Sequence, residues 1–286
     1  MKVIQARPCG YCKGVIRAIQ IARRTREENP DVPIHVLGML VHNRFVTLSL
    51  EELGIISHNE KGKTRLELLD EIDEGIVIFS AHGVCDEVYE KARNKGLTIV
   101  DATCEDVIKT SDIVKKYLEE DYEVIYIGVR NHPEAEGIVS NSDHIHLISS
   151  EEDIKNLEPY EKVFITNQTT MNVDNIADII EKLRIRYPEA IVQPEICNAT
   201  RMRQQAVKNM KNLDILYVVG DPSSNNTRNL GKCVDESVKK VCYIETYKDI
   251  DITDLKDDYT VGVTAGASTP TELYRQVIDY LTDWHS

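Results

Sequence analysis

Three cysteines divide the chain almost evenly: Cys12 and Cys104 lie 92 residues apart, Cys104 and Cys197 lie 93 apart, and 89 residues follow Cys197. A period near 90 residues is far longer than a solenoid repeat, so it points to three small modules rather than a stacked array. The local context agrees. Each cysteine follows a short Val- and Ile-rich run and opens a stretch of helical period: KVIQARPCGYCKGVIRAIQIA, LTIVDATCEDVIKTSDIVKKY and AIVQPEICNATRMRQQAVKNM. A short apolar run, a polar turn and then a 3.6-residue apolar period read as strand, turn and helix. Two further units of this kind follow in each interval. They are PIHVLGMLVHNRFVTLSLEEL and GIVIFSAHGVCDEVYEKARNK, then EVIYIGVRNHPEAEGIV and KVFITNQTTMNVDNIADIIEKL, then DILYVVGDPSSNNTRNLGKCV and YTVGVTAGASTPTELYRQVIDYL. Nine such units in three sets of three predict an α/β protein of three pseudo-equivalent domains, each a small parallel sheet covered by helices. The expected domains are 13–104, 105–194 and 195–286, with the N-terminal strand, 1–12, completing the third. The charged stretch from His58 to Arg65 reads as a surface loop.

Composition narrows the function classes. Acidic residues exceed basic ones, 48 against 34, for a formal charge of -14. Such a surface repels phosphate backbones and anionic lipid, which argues against nucleic-acid or membrane partners. No apolar run approaches the roughly 20 residues of a membrane span, and the N-terminal apolar stretch is too short for a signal peptide. A soluble, cytoplasmic protein is expected. Seven cysteines, an odd number in a reducing compartment, argue against a disulfide framework.

Offsets within the modules also repeat. His42 lies 30 residues after Cys12, His132 lies 28 after Cys104 and Ser224 lies 27 after Cys197. His82, Thr169 and Ser268 follow their cysteines by 70, 65 and 71 residues. All six fall in loops leaving the C-terminal ends of expected strands, where open α/β sheets bind ligands. Three domains around one cleft would gather three thiols and six polar turns. The thiols could hold an iron–sulfur cluster with one iron left open, could hold zinc, or could be unligated. Turns carrying His42, His82, His132, Ser224, Asn226 and Ser268 near helix starts suit an anion such as phosphate, although each Ser or Asn alone is explained as a helix cap. No Walker A lysine motif or G-x-G-x-x-G supports a nucleotide. Glu134, in His-Pro-Glu, could carry a proton if buried beside bound phosphate. Cys9 and Cys12 alone would fit a thiol–disulfide C-x-x-C, but that reading leaves Cys104 and Cys197 unexplained. A phosphometabolite-binding protein without catalysis is a further alternative. Cys85, Cys233 and Cys242 read as structural thiols.

The motifs GYCKGVIRAI, LVHNRF, FSAHGV, VDATC, NHPEAEG, NQTT, EICNATRMRQ, GDPSSNNTRNL and TAGASTP, in this order, resemble the 4-hydroxy-3-methylbut-2-enyl diphosphate reductase (IspH/LytB) family over essentially the whole chain. The resemblance implies three α/β domains around a central iron–sulfur cluster and substrate cleft. It implies reductive dehydroxylation of the allylic diphosphate to isopentenyl and dimethylallyl diphosphate, the last step of the methylerythritol phosphate route. It also implies a [4Fe-4S] cluster held by Cys12, Cys104 and Cys197 with one open iron, and reduced ferredoxin or flavodoxin as electron donor. His42, His82 and His132 match the family's histidines at the diphosphate. Ser224, Asn226 and Ser268 match its hydroxyl and amide contacts, and Asn225 would contribute its backbone. Glu134 corresponds to the proton donor, and Thr169 to the residue beside the substrate hydroxyl. Two departures stand out. Cys9 and Tyr11 form a C-x-x-C where the family more usually has one cysteine after Gly-Phe, and Asn225 stands where Ser is frequent.

Overall fold

The computed structural model describes residues 1–284. The first stretch runs β1 (Lys2–Gln5), α1 (Lys13–Glu28), β2 (Ile34–Leu37), α2 (Arg44–Glu51), β3 (Ile55–His58), α3 (Arg65–Asp70), β4 (Ile76–Phe79), α4 (Asp86–Asn94) and β5 (Thr98–Asp101). The next runs α5 (Glu105–Glu119), β6 (Glu123–Ile127), α6 (Pro133–Val139), β7 (Ile145–Ile148), α7 (Glu151–Lys155), β8 (Val163–Asn167), α8 (Val173–Arg186) and β9 (Ile191–Val192). The last runs α9 (Asn198–Lys208), β10 (Ile215–Val219), α10 (Asn225–Leu230), β11 (Val241–Ile244), β12 (Thr260–Ala265) and α11 (Thr271–Asp283), with two 3₁₀ turns between β11 and β12.

Three four-stranded sheets result, ordered β1-β12-β10-β11, β5-β4-β2-β3 and β9-β8-β6-β7. All pairings are parallel. The three orders superimpose term by term. Each sheet ends on a strand that leads into a cysteine, and the two inner strands lead into the polar turns. β1 pairs with β12 from Lys2 opposite Thr260 to Gln5 opposite Val263, so the N-terminus lies in the sheet of the C-terminal stretch. The inner strands are largely buried, and β4 and β10 are continuous buried apolar runs, IVIF and ILYVV, because helices cover both faces of a parallel sheet.

The sequence predicts three strands per module, and each sheet has four. The additional strands, β3, β7 and β11, all lie at the outer edge. Only one or two of the four residues in each are buried, so none carries the continuous apolar run that marks the inner strands. The helices that follow β3 and β7 have six and five residues, too short for a helical period to register. The stretch from His58 to Arg65 is correspondingly less of a loop than its charge suggests. His58 closes β3, Thr64 and Glu67 form a reciprocal capping box, and Arg65 is buried in the first turn of α3.

The chain divides into two compact units, Met1–Val15 with His42–Phe45 and Cys197–Ser286, and Ile16–Val41 with Val46–Ile196. The first holds the β1 sheet, whose core joins Tyr217, Val263, Val277 and Leu281. The second holds the other two sheets, with cores around Leu37, Phe79 and Val88 and around Ile125, Ile165 and Leu183. No helix among the described residues is long and apolar enough to cross a membrane. Leu37 is fully buried on an inner strand, so Leu37→Ala is expected to cost about 2–5 kcal/mol. Ile185→Ala, at a side chain 80% exposed, should shift stability by less than about 0.5 kcal/mol. Denaturant unfolding of both variants checks the contrast.

Candidate active site

In the second unit, the loops after β6 and β8 enclose a carboxyl. Pro133 opens α6 with His132 as its cap, which carries Glu134 inward until only 1% of the residue is exposed. Thr169, in the turn after β8, grips it twice. Its backbone N–H donates to Oε1 at 2.7 Å and its hydroxyl to Oε2 at 2.9 Å. The Tyr126 hydroxyl makes a longer contact with Oε1 at 3.4 Å. Burial pushes the Glu134 pKa up to about 7, against the pull of these donors, and Asp106 adds to the rise. The carboxyl is thus poised near neutrality, where a group can both hold and release a proton.

The same cap fixes a histidine tautomer. The Glu134 backbone N–H donates to His132 Nδ1 at 3.1 Å, so in the neutral ring Nε2 carries the hydrogen and is the donor. His82, after β4, meets His132 edge to face with ring centroids 5.4 Å apart. Gly137 permits this approach: a Cβ there would lie 3.2 Å from Val84 Cα, in the loop that carries His82. His82, His132, Glu134 and Thr169 therefore form one group in this unit. Cys104 caps α5, and its backbone N–H donates to the Ala81 carbonyl at 3.0 Å, beside His82.

In the first unit the polar turns are equally compact. Ser224 caps α10, and Ser224, Asn225, Asn226 and Ser268 are all buried. The Ser268 hydroxyl donates to the His42 carbonyl at 2.8 Å, and the Arg44 backbone N–H donates to Asp221 Oδ2 at 3.0 Å. Asn226 ties two loops together: its Oδ1 accepts the Ala267 N–H at 3.0 Å, and its Nδ2 donates to the Thr200 hydroxyl at 3.2 Å. Thr200 in turn contacts Cys197 Sγ through its hydroxyl at 3.1 Å and its N–H at 3.4 Å. Gly220 has φ of 149°, and a Cβ would lie 2.6 Å from the Thr269 hydroxyl and 2.7 Å from that of Thr227. Only glycine lets these turns close.

Cys12, Cys104 and Cys197 each stand one residue before a helix, after the edge strands β1, β5 and β9. The remaining cysteines differ. Cys85 also precedes a helix, but it packs in the β4 core and burial pushes its thiol up. Cys233 is buried and donates to the Asn229 carbonyl, and burial raises Cys242. Cys9 accepts from Gln5 Nε2 at 3.1 Å and lines a groove with Arg7, Tyr274 and Arg275. Sequence reasoning missed Tyr126, Thr200 and Arg203. Thr200 alone had a local signal, its position three residues past a capping cysteine.

The fold defines a three-sheet α/β protein with polar turns at its strand ends and a buried carboxyl whose pKa is raised to about 7. A family described as LytB protein matches residues 3–282, and the chain belongs to it. A relative from Anoxybacillus flavithermus, a 4-hydroxy-3-methylbut-2-enyl diphosphate reductase, is 47% identical, over 98% of this chain and 90% of its own. A reductase of the same name from Bacillus cereus is 44% identical, over 100% and 91%. The solved E-1-hydroxy-2-methyl-but-2-enyl-4-diphosphate reductase of Plasmodium falciparum is 31% identical and superimposes with a TM-score of 0.91, over 99% of this chain and 88% of that one. The solved (E)-4-hydroxy-3-methyl-but-2-enyl diphosphate reductase described as the terminal enzyme of the non-mevalonate pathway gives 30% and 0.69, over 99% and 100%.

The Glu134 carboxyl has a stability signature. Below its ordinary value of 4.5 it is protonated in folded and unfolded chains alike. Between there and about 7 the folded chain keeps a proton that the unfolded chain has released, so stability falls as pH rises through this window. Gln is always neutral and its amide can donate to the Thr169 hydroxyl. Glu134→Gln is therefore expected to match wild type near pH 4.5 and to exceed it by on the order of 2–3 kcal/mol at pH 8. Denaturant midpoints of both proteins across this range check the difference.

Proposed function

We propose that the chain reduces 4-hydroxy-3-methylbut-2-enyl diphosphate to isopentenyl and dimethylallyl diphosphate, consuming two electrons and two protons, as the terminal step of the non-mevalonate route. Family membership over residues 3–282 supports the reaction. The observation that carries the assignment of roles is the buried Glu134 carboxyl, held by Thr169 and raised to about 7.

Cys12, Cys104 and Cys197 are the proposed ligands of a [4Fe-4S] cluster. The residues fit such a group. All three are soft thiols at helix starts, where free N–H groups favour the thiolate that clusters bind. Moreover, Arg203 is buried with its Nε unpartnered and holds the carbonyls of the two residues before Cys12, so anionic sulfur on that turn meets a ready counter-charge. When bound, the cluster supplies the electrons and an open iron for the substrate's hydroxyl oxygen. The protein does the rest. His132 Nε2, His42, His82, Ser224, Asn226 and Ser268 hold the diphosphate with neutral donors, and Asn225 adds its backbone. Glu134 gives a proton to the departing hydroxyl, a poor leaving group that departs as water only when protonated. Thr169 fixes the carboxyl and stands beside that hydroxyl. Enclosure away from water strengthens each of these contacts.

The reading also has the chain act in the cytoplasm, take electrons from a reduced ferredoxin or flavodoxin, and comprise domains 13–104, 105–194 and 195–286 with strand 1–12 added to the third. Dye-linked turnover of the allylic diphosphate by anaerobically purified protein tests the function. Glu134→Gln is expected to bind substrate normally while turnover falls by about 10²–10⁴. Cys12→Ser, Cys104→Ser or Cys197→Ser should lower bound iron and sulfide, whereas Cys85→Ser should not. Near-normal turnover by Glu134→Gln would remove Glu134 from the reaction.

A further inference from the structure

Each helix that opens on one of the three cysteines carries a cation five or six residues further on, and that cation reaches the loop ahead of a different cysteine. On α9, Arg203 donates through Nη2 to the carbonyls of Gly10 at 2.6 Å and Tyr11 at 3.1 Å, the two residues before Cys12. Its Nη1 donates to the Ala199 carbonyl at 3.0 Å. On α1, Arg17 donates through Nη1 to the carbonyl of Thr103 at 2.9 Å, the residue before Cys104. On α5, Lys109 pairs with Glu195 Oε2 at 2.8 Å, two residues before Cys197. The dependence is cyclic: the Cys197 helix holds the Cys12 turn, the Cys12 helix holds the Cys104 turn, and the Cys104 helix holds the Cys197 turn.

The three cations differ in weight. Arg203 is 4% exposed, and its named partners are neutral carbonyls that leave its charge uncompensated. A buried cation without a carboxylate is costly unless other negative charge faces it. Burial lowers the Arg203 pKa, and Cys12, Cys197 and Cys9 act in the opposite direction. Its planar fork sets Nη2 on the two successive carbonyls while Nη1 holds the Ala199 carbonyl of its own helix, an arrangement an ammonium, with one nitrogen, does not reproduce. Arg17 is half-buried and makes one such bond. The Lys109 side chain is 60% exposed, so water screens its pair.

We propose that Arg203, Arg17 and Lys109 are positioning residues that each set the turn ahead of one of the three cysteines, with Arg203 also placing positive charge against the turn before Cys12. The proposal rests on the reading that these cysteines share an iron–sulfur cluster.

Wild type, Arg203→Gln, Arg203→Lys, Arg17→Gln and Lys109→Gln are purified without oxygen. Iron and sulfide content, reduction midpoint, rate of iron loss to excess chelator and unfolding midpoint are then measured. Arg203→Gln is expected to lose iron about 10–100-fold faster, with a more negative midpoint. Arg203→Lys should bring the midpoint back toward wild type while iron loss stays fast, since it restores charge but not the fork. Arg17→Gln should lose iron about three- to fivefold faster, and Lys109→Gln within about twofold of wild type. Should Arg203→Gln fail to fold, Arg203→Lys and Arg17→Gln decide the matter. Iron loss within about twofold of wild type in both of these, or iron loss that merely follows the unfolding midpoint across the series, overturns the proposal. Wild-type protein without iron and sulfide overturns the reading of the site instead.

Discussion

Parallel pairing is the constraint from which the other features follow. Every strand of each sheet runs in the same direction, so every strand delivers its carboxyl end to the same edge. That edge is where the chain has its freedom, because the strand's hydrogen bonds are complete and the next helix has not begun. Cys12, Cys104, Cys197, His42, His82, His132, Thr169, Ser224 and Ser268 all fall there. Since the three sheets share one strand order, each places a cysteine after its edge strand and polar turns after its two inner strands. One set of backbone rules, used three times, yields a set of functional turns without any turn needing a special fold.

The chemistry within those turns depends on what each side chain is denied. Glu134 is denied water, so its proton is retained to about pH 7. Thr169 supplies two donors that moderate the penalty without abolishing it. His132 is denied one tautomer by the N–H of the residue two positions on. Thiols divide along the same line. Cys85 and Cys242 sit against apolar neighbours that disfavour the thiolate, whereas the Cys197 sulfur lies beside a hydroxyl and an N–H. Residue type set the range of behaviour, and the surroundings chose within it.

Much of the architecture could be read from the chain. The inner strands were visible because covering both faces forces a continuous apolar run, as in IVIF and ILYVV. The edge strands β3, β7 and β11 were not, because exposure on one side dilutes that run. The thiols, histidines and Glu134 were legible through repeated offsets and motifs. Tyr126, Thr200 and Arg203 were not: Tyr126 and Arg203 lie within stretches that pattern reading treats only as strand or helix, and their contacts depend on neighbours supplied by the fold.

The sequence by itself determined the class of fold, the threefold repetition and the residue types at each strand end, since these follow from periodicity and spacing along the chain. Tertiary structure alone decided that Thr169 grips Glu134 across 35 residues and that Arg203 clasps the turn before Cys12 across more than 190. A hydrogen bond acts over about 3 Å and is indifferent to separation along the chain. No local pattern therefore records it, and only packing of the sheets and helices brings its two ends together.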